Sequence, residues 1–270
     1  MQTKEIPVFL VNGVYFPWQK LRLKMSAQNQ SWLEEGGCFG VVSKRRGAAG
    51  SSPGESSPAS EAKGQRAEFV GHHSVGVLVR ITDQPLMMRD YAEFSVEGVS
   101  RFAIKKVLTA DQTSKLCEVE MLDDAAEFAK AAANATAQER EARDGKILQA
   151  KTAVLELMEL YDKVDSDGKE RPSGLMDRAL RISKSARDEP VKLLFLIAAT
   201  LRLQPNNTYT RNDMDKSKTM LQELLNIDSF DQRLEKVNEL LAAELARVKE
   251  VKTRAEKLLQ MNEEKRKEAI

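Results

Sequence analysis

The side chains best suited to chemistry are few. His72 and His73 are the only histidines, and Cys38 and Cys117 the only cysteines. Adjacent histidine side chains rarely converge on one metal ion, and no C-x-x-C spacing links the cysteines, so the pattern argues against a zinc site. Both cysteines stand inside apolar runs of strand character, which reads as two small buried core residues and not a disulfide. Asp123, Asp124 and Glu127 cluster just ahead of a helical stretch. Solvated carboxylates in that position complement the positive end of a helix dipole more readily than they form a general acid/base pair. Gly50-Ser51-Ser52-Pro53-Gly54 matches the G-x-S-x-G form of a nucleophile elbow. That motif works only on a strained strand-to-helix turn, whereas here it falls in a run of Ser, Gly and Pro. No G-x-x-x-x-G-K-[ST] phosphate-binding loop occurs. No catalytic residue, metal or cofactor is therefore expected, and the chain reads as a non-enzymatic binding protein.

The elements follow from periodicity. From Ile6 to about Leu122 the sequence is a series of short apolar runs, several with the two-residue alternation that sends side chains to opposite faces of a strand. Val75, Val77, Val79 and Ile81 alternate most clearly; Leu21, Leu23 and Met25 do the same, as do Phe94 with Val96, Phe102 with Ile104, and Cys117, Val119 and Met121. About six or seven strands are expected, largely antiparallel, with turns at Asp83-Gln84-Pro85 and at Glu97-Gly98. Between about residues 45 and 67 the composition shifts to Gly, Ala, Ser and Pro, a mixture that buries too little apolar surface to offset its ordering entropy, so a disordered insert is expected there.

After Asp123-Asp124 the pattern becomes alanine-rich and charged, with apolar residues every three or four positions. Helices are predicted over Ala125 to Leu160, Gly174 to Lys184, Pro190 to Leu203 and Met214 to Leu225. A last helix should begin at Ser229, with Gln232 placed as in a capping box, and run to about residue 264 with one apolar stripe from Leu234 to Leu258. The expected organisation is α+β: a β-rich domain over 1–124 and a helical domain over 125–270.

Composition narrows the function classes. Apolar residues make up 41% and charged residues 31% of the chain, with a net charge of only +1. Nucleic-acid binders draw most of their affinity from neutralised phosphates and show a basic excess, so this balance argues against a nucleic-acid partner, and Lys44-Arg45-Arg46 is too short a patch to reverse that. No apolar run reaches the roughly 18 to 20 residues that span a bilayer. The opening Met1-Gln2-Thr3-Lys4-Glu5 lacks the apolar core of a signal peptide, so a cytoplasmic location is expected.

Ile6-Pro7-Val8-Phe9-Leu10, then Val14-Tyr15-Phe16-Pro17 and the alternating strand at Leu21 and Leu23, resemble the N-terminal substrate-binding domain of Lon-type ATP-dependent proteases. Phe39-Gly40-Val41-Val42, Ser74-Val75-Gly76-Val77 through Ile81, and Val96-Glu97-Gly98-Val99-Ser100-Arg101-Phe102 follow in the family's order. The last is similar to the "V-x-G-x-x-R-F" hairpin and is the most specific: its glycine is expected to permit a turn, its arginine to leave the strand and its phenylalanine to return to the core. More loosely, Leu221-Gln222-Glu223-Leu224-Leu225 and Asp231-Gln232-Arg233-Leu234 are similar to the family's "LLE…ERL" transition into a long helix. The sequence departs from the pattern at Trp18, where the family usually has glycine, in the insert after Arg45, and in the alanine-rich middle.

The resemblance implies a PUA-like β pseudo-barrel followed by a helical bundle, and the recognition of protein or unfolded polypeptide. The family's ATPase and Ser-Lys peptidase modules are not expected, since the sequence ends at Ile270. Trp18 beside Pro17, and Met87-Met88 beside Pro85, are large apolar side chains in predicted turns and the candidate polypeptide-binding residues. Two alternatives remain: a coiled-coil scaffold that self-associates through the terminal helix, and an RNA-binding role suggested by the PUA-like architecture.

Overall fold

The computed structural model describes residues 3–26, 36–43, 74–110, 114–164, 189–201 and 211–268. His72, His73, the Lys44–Arg46 patch, the Gly50–Gly54 motif, the 45–67 insert and the helix predicted over Gly174 to Lys184 lie outside these residues. The fold is α+β, and the chain forms two compact units, one of Met1–Glu127 with Asn212–Ile227 and one of Phe128–Arg211 with Asp228–Ile270.

The first unit carries β1 (Thr3–Val11), β2 (Lys20–Ser26), β3 (Cys38–Ser43), β4 (Val75–Ile81), β5 (Leu86–Met87), β6 (Tyr91–Ala110) and β7 (Ser114–Leu122). They form one mixed sheet in the order β2-β6-β4-β3-β1-β7, with β5 added to β6. The β1–β3 pair is parallel and every other pair antiparallel. β7 also pairs with β6, so β6, β4, β3, β1 and β7 form a ring of pairings and not a regular barrel. One strand closes that ring because β6 is long and irregular: register shifts lie between Ile104 and Lys106 and between Val107 and Thr109. Each such bulge bends a strand and increases its local twist.

The expected turn at Glu97-Gly98 is absent, since β6 is continuous from Tyr91 to Ala110. Gly98 serves a close approach instead. A Cβ there would sit 2.3 Å from the Phe16 carbonyl oxygen and 3.0 Å from Pro17 Cα, so only glycine lets the Phe16–Gln19 turn lie against the strand. The turn is held by Trp18 N donating to Gly98 O at 2.7 Å and Gly98 N donating to Gln19 O at 3.0 Å. Gly76 is as confined, its missing Cβ lying 2.5 Å from Val41 O and 2.7 Å from the Phe102 ring.

Alternation places Ile6, Val8, Val42, Phe102, Ile104, Val107, Cys117 and Val119 in one buried cluster. Phe39 meets Phe9 and Phe94 edge to face, at 5.2 and 6.1 Å between centroids. Phe102 thus returns to the core as expected, but Arg101 does not leave the strand. It stays in β6 at 2% exposure, its Nε donating to Asp124 Oδ2 at 3.0 Å and its Nη1 to the carbonyls of Leu225 and Ile227 at 2.5 and 3.1 Å. Those carbonyls belong to the end of a helix whose last C=O groups lack intrahelical partners. Arg101 therefore joins the strand, the start of the first helix and the end of Arg211–Asn226 within this unit. Gln222 of the same helix adds a bond from Nε2 to Val75 O at 3.2 Å.

The helices are α1 (Asp124–Asn134), α2 (Ala137–Val164), α3 (Pro190–Leu201), α4 (Arg211–Asn226) and α5 (Phe230–Glu268). The single helix expected over Ala125 to Leu160 is two, because Thr136 and Glu139 make a reciprocal capping box. Thr136 N donates to Glu139 Oε2 at 2.7 Å and Glu139 N donates to Thr136 Oγ1 at 3.2 Å. Asp123 accepts from Ala126 N at 2.9 Å, the N-terminal role expected of it. Asp124, expected to be solvated, is buried against Arg101.

In the second unit α3 is buried at all positions but Pro190 and Lys192, and it packs against α2 and α5. α5 presents Phe230, Leu234, Val237, Leu241 and Val248 as its buried face. Near its start Asp231 takes a bidentate ion pair from Arg143, both contacts 2.7 Å, and Phe230 meets Phe128 at 4.6 Å. Among the described residues no helix is long and apolar enough to cross a membrane.

Candidate functional site

β6 organises the candidate surface because it has different neighbours along its length. Its residues 91–97 pair with β2 on one side, and its residues 101–110 pair with β7 on that same side. β4 takes residues 96–103 on the other side, where β5 pairs with Ala92 and Glu93. The Phe16–Gln19 turn fills the interval between β2 and β7, opposite Gly98. Among the described residues, β2 and β5 are the strands paired on one side only.

Trp18 stands in that turn with φ of 58°, the one non-glycine residue among those described to adopt a left-handed backbone. This conformation crowds Cβ against the following carbonyl and favours glycine. Gln19 stabilises the turn from inside: it is 6% exposed, and its Oε1 accepts from Phe16 N at 3.1 Å. The indole is half-buried.

Leu86, Met87 and Met88 are 59%, 45% and 45% exposed, a run of three large apolar side chains at the rim of the sheet. Their backbone is fixed. Met88 N donates to Tyr91 O at 2.8 Å, closing the hairpin, and Thr82 N donates to Ser95 O at 3.0 Å. Asp83 Oδ1 accepts from Ser95 N at 2.6 Å, and hydrogen bonding from Ser95 holds the Asp83 carboxyl below its ordinary value of 3.8. The turn expected at Asp83-Gln84-Pro85 thus leads into a tethered, exposed apolar rim. Met87 lies opposite Ala92 whereas Trp18 lies beside Gly98, roughly 20 Å along β6 at about 3.3 Å per residue and across the strand. Met87 and Met88 therefore come together, and Trp18 stands apart from them.

β2 was not singled out by sequence as a site. Its Lys20, Arg22 and Lys24 lie on the outer face, opposite Glu97, Ser95 and Glu93, while Leu21, Leu23 and Met25 turn inward against Val96, Phe94 and Ala92. Arg22 and Lys24 side chains are 72% and 64% exposed and stand 3.6 and 3.5 Å from Glu93. Leu86 faces the same way, opposite Glu93. The alternation that identified the strand contained this signal, but only the pairing order shows that β2 lies at an edge.

Among the described residues of this surface no nucleophile is paired with a general base. Both cysteines are free. Cys117 is buried, as expected, and burial pushes its thiol up to about 11. Cys38, expected in the core, is exposed at the start of β3. Among the described residues no cluster of His, Cys, Asp or Glu could hold a metal ion.

Two solved structures are similar to this chain over most of both lengths. One is the Lon N-terminal domain protein from Xanthomonas campestris, at 14% identity and a TM-score of 0.42, covering 87% of this chain and 96% of that one. The other is the N-terminal domain of the Mycobacterium avium complex Lon protease, at 13% identity and 0.49, covering 88% and 98%. No protein-family model matches the chain, and no curated protein matches it.

Proposed function

We propose that this chain is a non-catalytic polypeptide-recognition or adaptor protein that takes extended segments of client proteins on the β2–β6–β5 part of its sheet. The observation that carries this reading is the exposed Leu86-Met87-Met88 rim on the same stretch of β6 whose other neighbour, β2, is an edge strand. An edge offers unpaired main-chain groups for strand addition, and methionine side chains adapt to varied apolar residues. Trp18 is the second apolar contact in this reading, held in place by its bond to Gly98. The free thiols of Cys38 and Cys117 suit a reducing, cytoplasmic compartment.

The test is the affinity of the full chain for labelled apolar peptides, compared with Met87→Ser/Met88→Ser and with Trp18→Ala/Met87→Ala. Both pairs should weaken binding while thermal unfolding shows the proteins folded. Unchanged affinity in both would sink the reading.

A scaffold role is the second reading. α5 extends 39 residues, yet the last buried side chain described on it is Val248, and Met261 is 52% exposed. Self-association through that distal stretch would appear as a mass that rises with concentration and drops on truncation after Val251.

A further inference from the structure

We infer that the outer edge of β2, unpaired among the described residues, selects acidic extended segments in which carboxylates alternate with apolar residues. This rests on the polypeptide-recognition reading and specifies the partner. β2 reads Lys20-Leu21-Arg22-Leu23-Lys24-Met25, cations outward and apolar residues inward. The strand the chain itself uses against one flank of β2 is Glu93-Phe94-Ser95-Val96-Glu97, which has the complementary pattern: Glu93 and Glu97 sit opposite Lys24 and Lys20, and Phe94 and Val96 opposite Leu23 and Leu21. The other flank of β2 sees the same two rows. A strand added there completes the sheet when its outward residues are acidic and its inward residues apolar, because directly opposed opposite charges stabilise a pair and like charges destabilise it.

Charge also decides between occupants. A second copy of β2, added antiparallel so that the sheet continues with its faces preserved, would set Lys20, Arg22 and Lys24 against the same cations of its partner. Edge lysines are a known device against such pairing. The two cations nearest Glu93, Arg22 and Lys24, stay well exposed despite that contact, so their charge is presented outward. Leu21 and Met25 are half-buried, leaving apolar surface for the inward residues of an added strand.

The experiment uses the full chain and three fluorescein-labelled synthetic peptides: one alternating Glu with Val, one of the same composition with the Glu residues blocked at one end, and one alternating Gln with Val. The alternating acidic peptide should bind most tightly, and its affinity should fall as salt is raised. The variant Lys20→Gln/Arg22→Glu/Lys24→Gln should weaken it about tenfold or more and should change the affinity of the Gln peptide by a much smaller factor. Hydrogen exchange on the unaltered chain reads the same contact without mutation: β2 amides should gain protection with the alternating acidic peptide and not with the blocked one. Equal binding of the Gln and Glu peptides overturns acidic selection while leaving polypeptide recognition standing. Failure of all three to bind overturns both. A concentration-dependent dimer that protects β2 would assign the edge to a second copy and also overturn the inference.

Discussion

Replacing Arg101 tests the tertiary logic of the first unit most directly. Its guanidinium is 2% exposed and is shared between the Asp124 carboxylate, itself only 7% exposed, and the carbonyls of Leu225 and Ile227. Arg101→Met keeps most of the side-chain volume and removes every donor. Taking one partner from a buried ion pair costs about 3–5 kcal/mol, because the remaining charge loses its compensation in a poorly solvated place. The two helix-end carbonyls lose a charge-assisted donor as well, so the upper half of that range applies. Arg101→Lys should fall between the two proteins, since one ammonium cannot chelate the carboxylate in a fork and also cap α4. Asp124→Asn in the Arg101→Met background should recover about 1 kcal/mol or more, the sign of a coupled pair. Urea unfolding followed by circular dichroism is the assay, and Arg101→Met should lower the midpoint by about 1 M or more for a slope of about 1–3 kcal/mol/M. A loss below about 1 kcal/mol would refute the reasoning, for it would mean that the pair is replaceable by water.

Other predictions follow from the same unit. Gly98→Ala should cost about 2–4 kcal/mol in the urea assay, from the forced retreat of the Phe16 carbonyl and the loss of two main-chain hydrogen bonds. At position 18 the usual order reverses: Trp18→Gly should be more stable than Trp18→Ala by about 1 kcal/mol, because both lose the indole but only alanine keeps the left-handed strain. Iodoacetamide at mildly alkaline pH should label Cys38 rapidly and Cys117 only after unfolding, as mass spectrometry of digested peptides will show. Asp83 has a folded pKa below 3.8, so its contribution is present above that value and is lost as pH falls through the lower folded value. The stability gap between the native protein and Asp83→Asn should therefore close in strong acid; a gap that persists there would remove the ionised carboxylate from the account.

The strands were legible because alternation is imposed by burial itself. Val75 to Ile81, Leu21 to Met25 and Cys117 to Met121 all fall on strands. What the sequence concealed depends on distant partners. Gly98 reads locally as a turn residue, and only the Phe16 carbonyl, far off in the chain, reveals that the missing side chain is the point. Asp124 reads as one of several solvated helix-start carboxylates, and nothing nearby announces Arg101. The break between α1 and α2 was readable in principle, since Thr136 and Glu139 have the capping-box spacing, but the alanine-rich flanks outweighed it. Of the candidate site residues, exposure of Met87 and Met88 is visible in the fold, whereas their separation from Trp18 follows from pairing register along β6.

The ring of pairings sets apart the stretch of β6 on which the proposed recognition would take place. β1, β3, β4 and β7 each have a strand on both sides, so their main-chain groups are engaged in the ladder. A ring of five strands abolishes edges, the usual solution to unwanted pairing. β6 is longer than the ring needs, and its residues 91–97 extend beyond the part shared with β7 to carry β2 and β5. Among the described residues, that extension is what reopens an edge. An edge left open on an otherwise closed sheet must either be defended or used. The lysines and arginine of β2 defend it against its own kind, while the Leu86-Met87-Met88 rim, across β6 from β2, does the opposite and presents apolar surface. Charge that repels copies and apolar surface that attracts chains are compatible only if the intended partner differs from this chain in sign, which is why the acidic peptide, and not a second β2, is the decisive probe.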